Sequence, residues 1–138
     1  MSASIAEIFN DSYQRMSDRY RDQFYECFYS CFISKDPRVA EAFVGVDMER
    51  QKSMLEDSLM MLLSCAATGE TSESLQSLAR VHSKLHIPAD LFALWMDSLV
   101  EALERVDPSY KPADGLAWRA MFMPGVEYMI AHVSAADQ

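Results

Sequence analysis

Glycine and proline are scarce, four and five in 138 residues. That excludes collagen-like and low-complexity chains, and it leaves few places for tight turns. Basic residues are also short: 12 Lys and Arg face 21 Asp and Glu, for a formal net charge of −9. Neutralising phosphates needs a basic face, so neither nucleic acid nor an anionic membrane is an expected partner. No apolar run is long enough for a transmembrane span. Met1 to Asp11 carry no basic n-region and no continuous apolar block, so a signal peptide is not expected and a cytoplasmic location is. The three cysteines, Cys27, Cys31 and Cys65, are odd in number, and no CxxC is present. A zinc site would need more ligands nearby, so buried free thiols in a reducing compartment are expected. No segment alternates with period two for long enough to predict a strand.

What is present is apolar bulk. Half of the residues are hydrophobic and 24% are charged, which argues for a packed core rather than disorder. The length suits one domain over residues 1–138, and no repeat or linker divides it. The periodicity predicts a first helix over residues 3–16, with Ile5, Ile8, Phe9 and Tyr13 on one side. A second, rich in aromatic residues, runs over 17–34, with Phe24, Phe28 and Phe32 on one face and Tyr25 and Tyr29 flanking it. Asp36 and Pro37 suit the start of a short helix over 37–42 that leads to Phe43. Gly45 marks a corner. Asp47 can cap a long helix over 48–66, whose inner face reads Met48, Gln51, Leu55, Leu59 and Leu62. Gly69 and the run TSES form a loop. Pro88 opens a helix carrying Leu91, Phe92, Trp95, Leu99 and Leu103, and Asp107-Pro108 closes it. A last helix covers 113–133 and carries Leu116, Trp118, Phe122 and Met123. Pro124-Gly125 is expected to kink or interrupt it. The sum is an all-α chain of six to seven helices.

The stretch LQSLARVHSKLHIPADLFALW, Leu75 to Trp95, holds the most informative pattern. Leu75, Leu78, His82 and Leu85 fall on one helical face, and only His82 is polar. A buried imidazole needs partners for its ring nitrogens. One reading is a core histidine bonded to a backbone carbonyl. The other is a metal or cofactor ligand, since neutral imidazole is the commonest protein ligand for metals. Gln51 is likewise one polar residue on an apolar stripe, and Tyr29 is a tyrosine among inward aromatics.

Three segments carry a resemblance. FYSCFISKDPRVAEAF (Phe28 to Phe43), DMERQKSMLEDSL (Asp47 to Leu59) and LARVHSKLHI (Leu78 to Ile87), followed by Ala117-Trp118, resemble the globins in order and spacing over nearly the whole chain. The similarity is to bacterial single-domain globins and the globin half of flavohaemoglobins. It implies a globin fold around a pocket for haem b (iron protoporphyrin IX), with His82 as the iron ligand. It implies Phe43 on the haem face, Tyr29 and Gln51 on the opposite side with Leu55, and a wall drawn from Phe28, Phe32, Leu78, Val81, Ile87, Phe92 and Trp95. His86, two residues before Pro88, reads as an end-of-helix histidine near the haem edge. Arg50 and Lys52 read as surface charges, and His132 as exposed.

The resemblance further implies O2, CO or NO as ligand. Tyrosine and glutamine donors in an apolar cavity would hold such a gas tightly. That favours scavenging, sensing or NO detoxification over bulk oxygen transport, with dioxygenase turnover depending on a separate reductase. Phe92 stands where the flavohaemoglobin pattern has a tyrosine. No glutamate matches the one that bonds the iron-bound histidine: Glu127 is offset and Val133 falls nearer. Pro124-Gly125 leaves a homodimer face open as a reading. The alternative to a haem protein is a haem-free regulatory or interaction module of the same fold.

Overall fold

The computed structural model describes residues 3–136. Among these, seven α-helices and one π-helical segment are present, and no strand. The helices are α1 (Ile5–Arg15), α2 (Arg21–Lys35), α3 (Pro37–Ala42), α4 (Met48–Thr68), α5 (Glu73–Lys84), α6 (Ala89–Val106) and α7 (Pro112–Ala136). The all-α expectation therefore holds.

Local chemistry explains most boundaries. The Asp36 side chain accepts from Arg38 N, with Pro37 in the first turn of α3. Asp47 accepts from Glu49 N and Arg50 N and starts α4. Gly69, at φ 72°, ends α4 in the left-handed region and donates its N–H to Cys65 O at 2.9 Å. Ser72 accepts from Leu75 N and opens α5.

The chain divides into two compact units. The first is Met1–Val46 with Leu94–Ala120. Here the two helices expected over 3–16 and 17–34 do not abut directly. A π-helical segment, Met16–Tyr20, joins them. Its wider turn shifts the register, so that Phe9, Met16 and Phe24 are all buried. Trp118 is fully buried and gathers Phe9, Tyr13 and Phe24 at ring separations of 5.4, 5.7 and 5.5 Å. Its indole N–H donates to Ser12 Oγ at 2.9 Å, which satisfies both buried polar groups. Arg15 donates to Asp107 at 3.1 Å and to Asp114 at 3.0 Å, tying the end of α1 to the α6–α7 corner.

The second unit is Asp47–Ala93 with Met121–Gln138. Leu55, Leu59, Leu62 and Cys65 of α4 are buried, as are Leu75 and Ala79 of α5. From α7 it buries Phe122, Val126, Met129 and Val133. Of the kink or interruption expected at Pro124, the interruption does not occur: α7 runs on to Ala136 with the proline inside it. The neighbouring Gly125 gives the physical reason. A Cβ there would sit 3.2 Å from Leu62 Cα and closer still to the Leu62 side chain. Without a Cβ, α7 comes close against α4, and packing around Phe122 and Val126 offsets the helix bond that proline cannot make. Two further expectations change in this unit. Leu85 is 66% exposed, because α5 ends at Lys84 and the apolar stripe loses its register there. His132 is half-buried rather than exposed, its ring 5.8 Å from that of Tyr128.

Candidate ligand site

In the first unit, α2, the α3 corner and α6 bring five of the expected site residues into one aromatic cluster. Phe28, Tyr29 and Phe32 sit on successive positions of the buried face of α2. Tyr29 is 5% exposed. Its ring meets Phe28 edge-on at 4.8 Å and Phe43 edge-on at 5.4 Å, so two rings fix its plane. Phe32 lies 6.3 Å from Phe43, and Phe28 lies 6.1 Å from Trp95 of α6. Phe43 and Trp95 are half-buried.

The second unit holds the others. Gln51 is half-buried and Leu55 fully buried, one turn apart on α4. On α5, Leu78 and His82 are half-buried, while Val81 is 53% exposed. The His82 ring stands 6.1 Å from Phe92 at a 44° tilt. His82 Nδ1 lies 2.9 Å from Leu78 O, one turn back on the same helix. A carbonyl oxygen can only accept, so Nδ1 carries the proton and donates. In the neutral ring the lone pair then belongs to Nε2. The bond fixes both the tautomer and the ring plane, the arrangement in which histidine serves as a metal ligand. It is also the carbonyl bond of a core histidine, but it engages one nitrogen of two.

Beyond α5 the chain turns sharply. His86 is exposed and takes φ 53°, a left-handed conformation that costs a residue with a Cβ about 1–2 kcal/mol. Ile87 follows, half-buried, before Pro88. Arg50 is exposed, and Lys52 pairs with Glu49 at 3.0 Å. No group of three or more His, Cys, Asp or Glu that could hold a metal ion exists among the described residues. The donor chemistry fits haem: one imidazole whose Nδ1 is engaged by a carbonyl, which leaves Nε2 for a metal.

One cluster was not expected. Cys31 and Glu101 share a hydrogen bond, and Lys35 reaches the same carboxylate at 3.0 Å. Burial, with that carboxylate second, pushes the Cys31 thiol up to about 12. The Lys35 ammonium holds Glu101 below its ordinary value. The four-residue spacing of Cys27 and Cys31 was visible in the sequence. Glu101, on a helix 70 residues further on, carried no local sign.

No helix among the described residues is long and apolar enough to cross a membrane. No family model and no curated protein matches the chain. Among solved structures, a protein of Pseudomonas aeruginosa PAO1, described as structurally highly homologous to a human hemoglobin, superposes with a TM-score of 0.85 at 27% sequence identity. The alignment covers 94% of this chain and 98% of that one. This chain has a globin fold.

Proposed function

We propose that residues 1–138 make one haem-binding globin domain of the bacterial single-domain type, similar to the globin half of flavohaemoglobins, and that it binds O2, CO or NO reversibly. The observation that carries this reading is the 2.9 Å contact between His82 Nδ1 and Leu78 O, which engages Nδ1 and leaves the lone pair on Nε2 for iron. The order of Tyr29, Phe43, Gln51 and His82 along a globin fold supports it too.

Haem b, when bound, supplies an iron with an open coordination position for a diatomic gas. His82 would hold that iron through Nε2. Its other nitrogen bonds a neutral carbonyl, not a carboxylate, so the ring stays a modest electron donor. That favours gas binding over peroxide cleavage. Tyr29 and Gln51 would donate to the negative charge that builds on the gas, and Leu55, Phe28 and Phe43 would keep water out. A hydroxyl and an amide donor together slow release, which suits scavenging, sensing or NO detoxification. Conversion of NO and O2 to nitrate would draw its electrons from a separate reductase. Leu78, Val81, Ile87 and Phe92 are the proposed wall, with His86 at the haem edge.

The test is an absorption spectrum of the purified protein, ferric, then reduced, then under CO. A Soret band that sharpens and shifts under CO is the expected result. His82→Gly should lose haem, and added imidazole should restore it. A colourless protein that takes up no added hemin would overturn the reading and favour a haem-free interaction module.

A further inference from the structure

Cys27 and Cys31 lie one turn apart on α2 with their sulfurs 4.0 Å apart, and both are free thiols. Cys27 is half-buried and reachable, whereas Cys31 is 3% exposed. The Cys31 thiol also shares a hydrogen bond with the Glu101 carboxylate, and either sulfur can donate in the contact between the two cysteines. Lys35 closes the cluster through Glu101. The gas-binding reading above uses none of these four residues.

Three chemistries compete for two thiols so placed. A disulfide needs the sulfurs at about 2.05 Å, and an intact helical turn resists that closure. Zinc needs about four ligands, and no group of three or more His, Cys, Asp or Glu among the described residues is placed to hold a metal ion. A monovalent soft cation would leave a net anionic dithiolate beside Glu101, and burial with that carboxylate opposes such charge. What remains is an electrophile that bridges the two sulfurs and leaves both uncharged. We propose that Cys27 and Cys31 form a dithiol site for trivalent organoarsenicals, compounds of the class R–As(OH)2.

The reaction balances without a redox partner. Cys27 attacks first, through its accessible sulfur: one As–S bond forms, one As–O bond breaks, and the thiol proton leaves with the hydroxyl as water. Cys31 repeats the step from within the complex, releasing a second water and closing a ring through arsenic. Arsenic stays trivalent throughout. The second bond is intramolecular, so its effective concentration exceeds that of any free thiol.

Phenylarsine oxide is the probe, added to the folded protein. The expected result is one arsenical per chain by intact mass and the loss of two titratable thiols. The adduct should survive excess monothiol and be reversed by a dithiol. Cys65→Ser should bind unchanged. Cys27→Ser and Cys31→Ala should each bind about 100-fold more weakly or worse. Circular dichroism of each variant separates loss of the site from loss of the fold. Unchanged affinity in folded Cys27→Ser, or adducts that monothiol strips off, would overturn the proposal.

Discussion

Gly125→Ala is the perturbation that tests the close approach of α7 to α4 most directly. In an open helix this change stabilises by about 0.8–1.0 kcal/mol, because alanine loses less backbone entropy. At this position the new methyl would lie 3.2 Å from Leu62 Cα, which is backbone and cannot rotate away, and against the Leu62 side chain as well. Overpacking of this kind costs about 1–3 kcal/mol. The two effects oppose, and the steric one is the larger, so a net loss of about 0–2 kcal/mol is expected. For a domain of this size that lowers Tm by up to roughly 8 °C. Leu62→Ala alone should cost about 2–5 kcal/mol, since Leu62 is 2% exposed. The double variant is the sharper measurement. Leu62→Ala removes Cδ2, the nearest atom the new methyl meets, and leaves Cα and Cβ, so the pair should be less destabilised than the sum by about 0.5–2 kcal/mol. Urea unfolding followed by circular dichroism reads all three variants. A Gly125→Ala protein more stable than the parent by the full open-helix amount, with additive behaviour in the double variant, would refute the argument.

Other outcomes follow from the same contacts. Arg15→Met leaves the two buried carboxylates of Asp107 and Asp114 without their shared cation, so stability in urea should fall by about 3–5 kcal/mol at neutral pH. Recovery is expected in Arg15→Met combined with Asp107→Asn, which removes one buried charge. Tyr29→Phe removes one donor, and in haem-loaded protein O2 release by stopped flow should quicken about tenfold to a hundredfold. An unchanged rate would take Tyr29 out of the gas-binding role. The Glu101 carboxyl is held below its ordinary value of 4.5 first by its bond from Lys35, so the folded state releases the proton more readily than the unfolded chain does. That increment of stability is present above pH 4.5 and is lost as pH falls through the folded value. Lys35→Met should therefore flatten the pH dependence of urea midpoints in that acid range, and a profile parallel to the parent's would contradict it.

The residues that announced themselves did so through chemistry confined to a few neighbours. Asp36-Pro37 and Asp47 each begin a helix because a carboxylate can accept from amide groups two or three residues on, whatever the rest of the chain does. Gly69 ends one because only glycine enters the left-handed region without cost. The isolated polar residues of the apolar stripes, His82 and Gln51, could be singled out for the same reason, since a polar group on such a face needs a partner wherever the face is packed. Tertiary structure decided what depends on distance. Nothing near Pro124 in sequence reveals that Leu62, on another helix, makes a glycine beside it worth keeping. Arg15 finds its carboxylates 92 and 99 residues away, and Trp118 finds its hydroxyl 106 residues away. The π-helical turn joining α1 to α2 exists because Met16 and Phe24 must both reach one core, a demand set by packing and not by propensity. The starts of α3 and α4 and the end of α4 are local electrostatics and sterics, so amino-acid order alone determined them. Which turn stays closed, which charge is neutralised and which ring nitrogen is left for a ligand depend on what the folded chain brings alongside.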